Sequence, residues 1–179
     1  MIRISQTQKY RASSLCIIWK EDSILLEQFP EEEGVITFRP VGGTIEYGED
    51  SKAGLIREVK EEINQDLTDV KLLGIIENIY DYYGDVGHEF DFIYEAKLCA
   101  SDLYNREYIE GYEGENKFIA VWMPVTAFRD NPARMLVPDG LFELLTGQGA
   151  SECVHTIKHV NTKDIEARKT HDNSMKPTE

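Results

Sequence analysis

Three glutamates, Glu58, Glu61 and Glu62, crowd into the segment GGTIEYGEDSKAGLIREVKEEINQ that runs from Gly42 to Gln65. On a helix of about 3.6 residues per turn, Glu58 and Glu62 share one stripe and Glu61 lies beside them. Like charges one turn apart destabilise an isolated helix by roughly 0.2–0.5 kcal/mol per pair. Arg57 can offset Glu61, but no base stands one turn from Glu58 and Glu62. A hard divalent cation relieves that repulsion, and Mg²⁺ takes its oxygens from one or two carboxylates together with substrate phosphates. A solvated acidic face would show the same helix pattern. The preceding segment favours the metal: Gly42 and Gly43 form a tight turn whose backbone can approach a ligand or offer it a carbonyl. Glu49, just before the helix, can face Arg57.

The elements that must position these residues follow from periodicity. Ser13–Trp19 and Ile24–Phe29 are apolar runs joined by a polar turn, a β-hairpin pattern. A short strand from Val35 to Arg39 is expected to end at Pro40. From Ser51 the period changes, and Leu55, Ile56, Val59 and Ile63 mark one apolar helix face. Asp50 or Ser51 can cap its start and Asn64 can stop it in the left-handed conformation. Strands are expected over Val70–Tyr80 and His88–Leu98, joined by a turn holding Gly84 and Gly87, and again over Phe118–Pro124. A short helix is expected near Asp139–Leu145. Strands on both sides of a central helix predict one mixed α/β or α+β layered domain over residues 1–149. Residues 150–179 lack apolar periodicity and are expected to form a loosely ordered tail.

The segment resembles the signature of the Nudix hydrolases, G-x5-E-x7-R-E-U-x-E-E-x-G-U, where U is a bulky apolar residue. Gly43, Glu49, Arg57, Glu58, Val59, Glu61 and Glu62 fall at matching positions, while Asn64 and Gln65 depart from it. The resemblance extends over roughly Tyr10 to Leu145. It implies an α/β/α sandwich with a mixed β-sheet, and Mg²⁺-dependent hydrolysis of a nucleoside diphosphate derivative or nucleoside triphosphate, with Mn²⁺ as an alternative cation. It also implies Glu58 and Glu62 as principal metal ligands, Glu61 as a further or orienting ligand and the Gly42 carbonyl as a backbone ligand. Arg57 and Glu49 become the ion pair that fixes helix to loop. The attacking water needs a base. Glu58 and Glu61 are candidates, as are Glu110 and Glu113 in the stretch YIEGYEGEN, which also carries Glu115 and reads as an acidic loop.

Weaker signals surround this core. Tyr80 and Tyr82 can stack on a nucleobase, although aromatics at a strand end more often pack. Arg39, just before the glycine turn, can contact phosphate or form a surface ion pair. His88 reads as structural, and His155, His159 and His171 have no ligand spacing. Two other classes share the fold: a nucleotide-sensing module without catalysis, and an allylic diphosphate isomerase, which needs a reactive acid, commonly a cysteine.

Composition narrows the partners. The 179 residues carry 19 Lys and Arg against 33 Asp and Glu, a formal net charge of −14. Sequence-independent binding to nucleic acid or to an anionic membrane relies on clustered bases, so both are excluded. A phosphate ligand must then come with a cation. Three widely spaced cysteines give neither a disulfide framework nor a CxxC metal pattern. The expectation is a cytoplasmic protein with a nucleotide-type small-molecule substrate, and a homodimer is in keeping with its apolar strand ends.

Overall fold

The computed structural model describes residues 10–82, 85–147 and 157–161, with backbone only at Tyr82, Asp85 and 157–161. Strand β1 (Arg11–Lys20) sets the layering: Leu15 and Ile17 face one side, Cys16 and Ile18 the other, and all four are buried. It pairs with β2 (Ser23–Gln28) only at Trp19↔Ile24 and Lys20↔Ser23, so the expected hairpin exists but opens at once.

Strand β3 (Ile36–Thr44) does not stop at Pro40 as expected. Its ladder runs on β2 up to Leu26↔Pro40 and on β1 from Cys16↔Val41, so the missing N–H falls where the partner changes. Helix α1 (Ser51–Ile63) follows. Asp50 caps it, accepting from the amides of Lys52 at 3.1 Å and Ala53 at 3.0 Å, and Asn64 ends it at φ 52°. Leu55, Val59 and Ile63 are buried as expected, but Ile56 is 40% exposed. The buried stripe takes in Gly54 and Glu62 instead, because the helix rests on its polar carboxylate edge.

Strands β4 (Leu67–Tyr82) and β5 (Asp85–Leu98) form a long antiparallel pair. Gly87 lies inside this ladder opposite Tyr80, whose ring occupies the space of a Cβ, and not in the turn; Gly84 lies outside the described residues. The stretch expected as an acidic loop is strand β6 (Tyr108–Glu113), which turns at Gly114 into β7 (Asn116–Pro124). Strand β8 (Arg134–Leu136) runs parallel to β3, and α2 (Leu141–Thr146) matches the expected short helix.

A last strand, β9 (Ile157–Asn161), runs parallel to β4 along Ile75–Ile79, inside the expected tail. With Ile157 and Val160 as its apolar residues, it is too short to announce a strand by alternation. The rest of 150–179 lies outside the described residues.

Among the described residues the nine strands join one mixed sheet, in the order β6-β7-β2-β3-β1-β5-β4-β9 with β8 on β3. Leu55, Val59 and Ile63 of α1 pack with Cys16, Ile18, Leu25 and Val41 on one face. Leu141 of α2 packs with Leu15, Ile17, Ile24 and Ile93 on the other. This is the α/β/α sandwich expected. No helix among the described residues is long and apolar enough to cross a membrane.

The α2 side of the sheet ends in buried polar groups. Ser13, Asn78, Glu89 and Asp91 continue the rows of Leu15, Ile76 and Ile93. The Ser13 hydroxyl donates to Asp91, and the Tyr80 hydroxyl donates to Glu89. Asp91 is 2% exposed and its Oδ2 has no partner among the described residues, and burial pushes its pKa up to about 6. The folded form then keeps a proton that the unfolded chain releases, and stability falls as pH rises through this interval. Asp91→Asn is expected to match the wild type below pH 4 and to exceed it above pH 6 by on the order of 2 kcal/mol, as read by denaturant unfolding across pH.

Candidate active site

The carboxylate row is held from two sides. On one, Arg57 uses all five of its N–H groups. Nε donates to Glu49 Oε2 at 3.3 Å, and Nη2 donates to Glu49 Oε1 at 2.6 Å and to the Thr44 carbonyl at 3.0 Å. Nη1 donates to Glu58 Oε1 at 2.9 Å and to Glu61 Oε2 at 3.1 Å. Glu49, which also accepts the Glu46 amide at 2.7 Å, is held below the usual carboxylate range by these bonds, with Arg57 first. The guanidinium therefore ties β3, the following turn and α1 into one piece.

The glycine pair, expected as a tight turn, lies within β3, where Gly42 pairs with Leu15 and Gly43 with Ser14 of β1, and it brings the strand against the helix. Gly42 stands at φ 131°, and a Cβ there would lie 2.2 Å from the Ser14 carbonyl oxygen, so only glycine fits. Its N–H donates to Glu62 Oε2 at 2.9 Å. A Cβ on Gly43 would lie 2.6 Å from the Glu58 carboxylate, which occupies that space. Gly54, on the helix, has the Glu49 carboxylate 3.1 Å from its virtual Cβ, so the close approach there is by a side chain. Burial pushes the Glu62 carboxyl up to about 8 against the opposing pull of the Gly42 amide and Arg39.

On the other side of the row stands Arg39. Its Nη2 donates to Glu27 Oε2 at 2.9 Å, with Glu113 Oε2 3.7 Å away. Glu113 projects from β6 on the same face as buried Ile109, toward α1. Glu110 projects the other way and accepts from Lys117 at 2.6 Å, so it is not brought to the row. Glu27 was missed in the sequence, where the signal was one carboxylate inside the apolar strand SILLEQ.

The lesser candidates are elsewhere. Tyr80 is engaged with Glu89, and burial pushes its hydroxyl up to about 12. The Tyr82 side chain lies outside the described residues. His88 contacts Glu77 at 2.9 Å between the rings of Tyr10 and Phe90, a structural setting. Cys16 is buried in the core and desolvation raises its thiol pKa, so it offers a substrate no acid. Cys99 is exposed at the end of β5, and Cys153 lies outside the described residues.

The donors suit a hard cation, being carboxylate and backbone oxygens. Among the described residues no three His, Cys, Asp or Glu side chains gather closely enough to hold a metal alone.

Helices thus lie on both faces of a mixed sheet, and a glycine pair at the end of β3 is set against a carboxylate-rich helix. The NUDIX domain model matches residues 9–142, and the chain belongs to the NUDIX family. Among solved structures it is similar to a NUDIX hydrolase from Nitrosomonas europaea, at 18% identity over 78% of this chain and 88% of that one, with a TM-score of 0.55. It is similar also to a mutator MutT protein from Bacillus halodurans, at 19% identity over 86% and 92%, TM-score 0.55. An ADP-ribose pyrophosphatase from Streptococcus suis matches at 16% identity over 84% and 98%, TM-score 0.50. Among curated proteins none matches the sequence. These identities carry the fold, and the family carries hydrolysis of diphosphate bonds.

Proposed function

We propose that this protein is a Mg²⁺-dependent pyrophosphohydrolase that cleaves the diphosphate of a nucleoside diphosphate derivative or a nucleoside triphosphate. The observation that carries it is the locked junction of β3 and α1, where Gly43 packs on Glu58 and Gly42 binds Glu62. A solvated acidic face needs no such fit, whereas a carboxylate held against a glycine backbone is aimed.

Glu58 and Glu62 would hold the cation, with Glu61 as a third or orienting carboxylate and the Gly42 carbonyl as a backbone donor. Bound there, the cation supplies the charge that lets an acidic site accept a diphosphate, and it acidifies the attacking water. The chain itself supplies orientation and a proton acceptor. Arg57 fixes Glu58 and Glu61 relative to Thr44 and Glu49. The acceptor is drawn from Glu58, Glu61 and Glu113, since Glu110 faces away and pairs with Lys117. Water adds to phosphorus, the anhydride P–O bond breaks, and two phosphate-bearing products leave.

The test is incubation with a panel of nucleoside diphosphate derivatives and triphosphates, with Mg²⁺ and then Mn²⁺, resolving products by ion exchange. Cleavage of at least one member, abolished by chelation, is expected. Tight binding by calorimetry without cleavage of any member would favour a sensing module.

A further inference from the structure

Two guanidiniums flank the carboxylate row, and their accounts differ. Arg57 has five donors and five acceptors within 3.3 Å, so it has nothing left to offer a ligand. Arg39 makes one close ion pair, to Glu27 at 2.9 Å, and its second carboxylate, Glu113, is 3.7 Å away. Its Nε is buried and finds no acceptor among the described residues. A buried N–H on a charged group is costly to leave unmatched, because it has given up water and gained no acceptor. That cost is recovered when an anion arrives.

Glu27 explains why Arg39 stays there. The two are direct cross-strand partners on β2 and β3, and the Phe29 ring lies 5.5 Å from the guanidinium carbon. Glu27 is 5% exposed, and among the described residues its ion pair is with Arg39. Burying such a pair seldom stabilises a fold, since apolar replacements do as well or better. The arrangement makes sense if Arg39 must be aimed. On β3, Arg39 shares the face of Val41, which packs with Leu55 and Val59 of α1, whereas Phe38 faces the other core, so Arg39 lies on the helix side of the sheet, three residues before the Gly42 amide that binds Glu62.

We propose that Glu27 is a positioning residue that holds Arg39 on the α1 side of the sheet, beside the carboxylate row, where the guanidinium takes a non-bridging phosphate oxygen of the substrate. Glu113, exposed and more distant, is the partner that a phosphate displaces; Glu27, buried, is the one that remains. This rests on the hydrolase reading above and assigns it a phosphate contact supplied by the chain itself.

The test is a double-mutant cycle on the full chain with Glu27→Gln, Arg39→Ala and the pair, using the best panel substrate and Mg²⁺. Each single change is expected to raise KM about 10-fold, with kcat within about threefold of the wild type. The double variant should be no worse than Arg39→Ala, because Glu27 acts only through Arg39. Calorimetric affinity for a non-hydrolysable nucleotide analogue should fall in parallel. If Glu27→Gln does not fold, Arg39→Lys carries the same expectation, since it keeps the charge and loses the fork. Additive effects, or a loss of kcat at constant KM, would overturn the positioning role while leaving the hydrolase reading in place. If the wild type binds the analogue without turnover, the same cycle is read on affinity alone. Neither turnover nor binding by the wild type overturns both.

Discussion

Glu58→Gln is expected to leave the fold intact and to lower turnover with Mg²⁺ by about 10³-fold. Gln keeps the length of the side chain and an oxygen to accept from Arg57 Nη1, now at 2.9 Å, so the junction of turn and helix survives. What disappears is one negative charge beside Gly43. If Glu58 holds the cation, part of the loss returns when Mg²⁺ is raised, because the apparent metal affinity has fallen. If Glu58 takes the proton, saturating metal restores nothing. A metal titration of kcat therefore separates the two roles. Equal activity of variant and wild type would remove Glu58 from the chemistry.

The second large effect is on stability. Gly42→Ala is expected to destabilise the protein by about 3–5 kcal/mol, combining a left-handed backbone with a collision in a packed strand. The added methyl would lie 2.2 Å from the Ser14 carbonyl oxygen, and neither backbone can yield without opening the β1–β3 ladder. Gly43→Ala is the informative contrast. The atoms nearest its methyl are the end of the Glu58 side chain, from 2.6 Å, which can swing aside. Denaturation should show a loss of about 1 kcal/mol, with turnover falling because Glu58 has been displaced. Similar unfolding curves for the two variants would contradict this division between a glycine needed for the fold and one needed for the site.

The site was legible to the extent that it is local. The stripe of Glu58, Glu61 and Glu62, the Asp50 cap and the Asn64 stop all lie within one helix and its ends, where spacing along the chain determines spacing in space. The Glu49–Arg57 pair was readable for the same reason, its partners lying within the helix and the segment just before it. Contacts that close across the sheet were not. Glu27 meets Arg39 only because β2 lies beside β3, and Glu113 joins them only because YIEGYE is a strand on β7. With the turn that follows it, YIEGYEGEN carries two glycines and three glutamates, which read as a loop until the ladder satisfies its backbone. Pro40 misled for a related reason, since a residue that ends most ladders is harmless where a strand changes partner. Ile56 misled because the helix buries an acidic edge, which apolar counting does not anticipate.

The full engagement of Arg57 bears on how far this chain can vary in length. One side chain fixes the distances among Thr44, Glu49, Glu58 and Glu61, so an inserted or deleted residue anywhere between them breaks several bonds at once. At the turns Glu33–Gly34 and Gly114–Glu115 the backbone stands in open space, and a Cβ at Gly34 or Gly114 meets nothing within 4 Å. Insertions and grafted segments belong at those two turns, and the stretch from Thr44 to Glu61 is a cassette to be moved only whole.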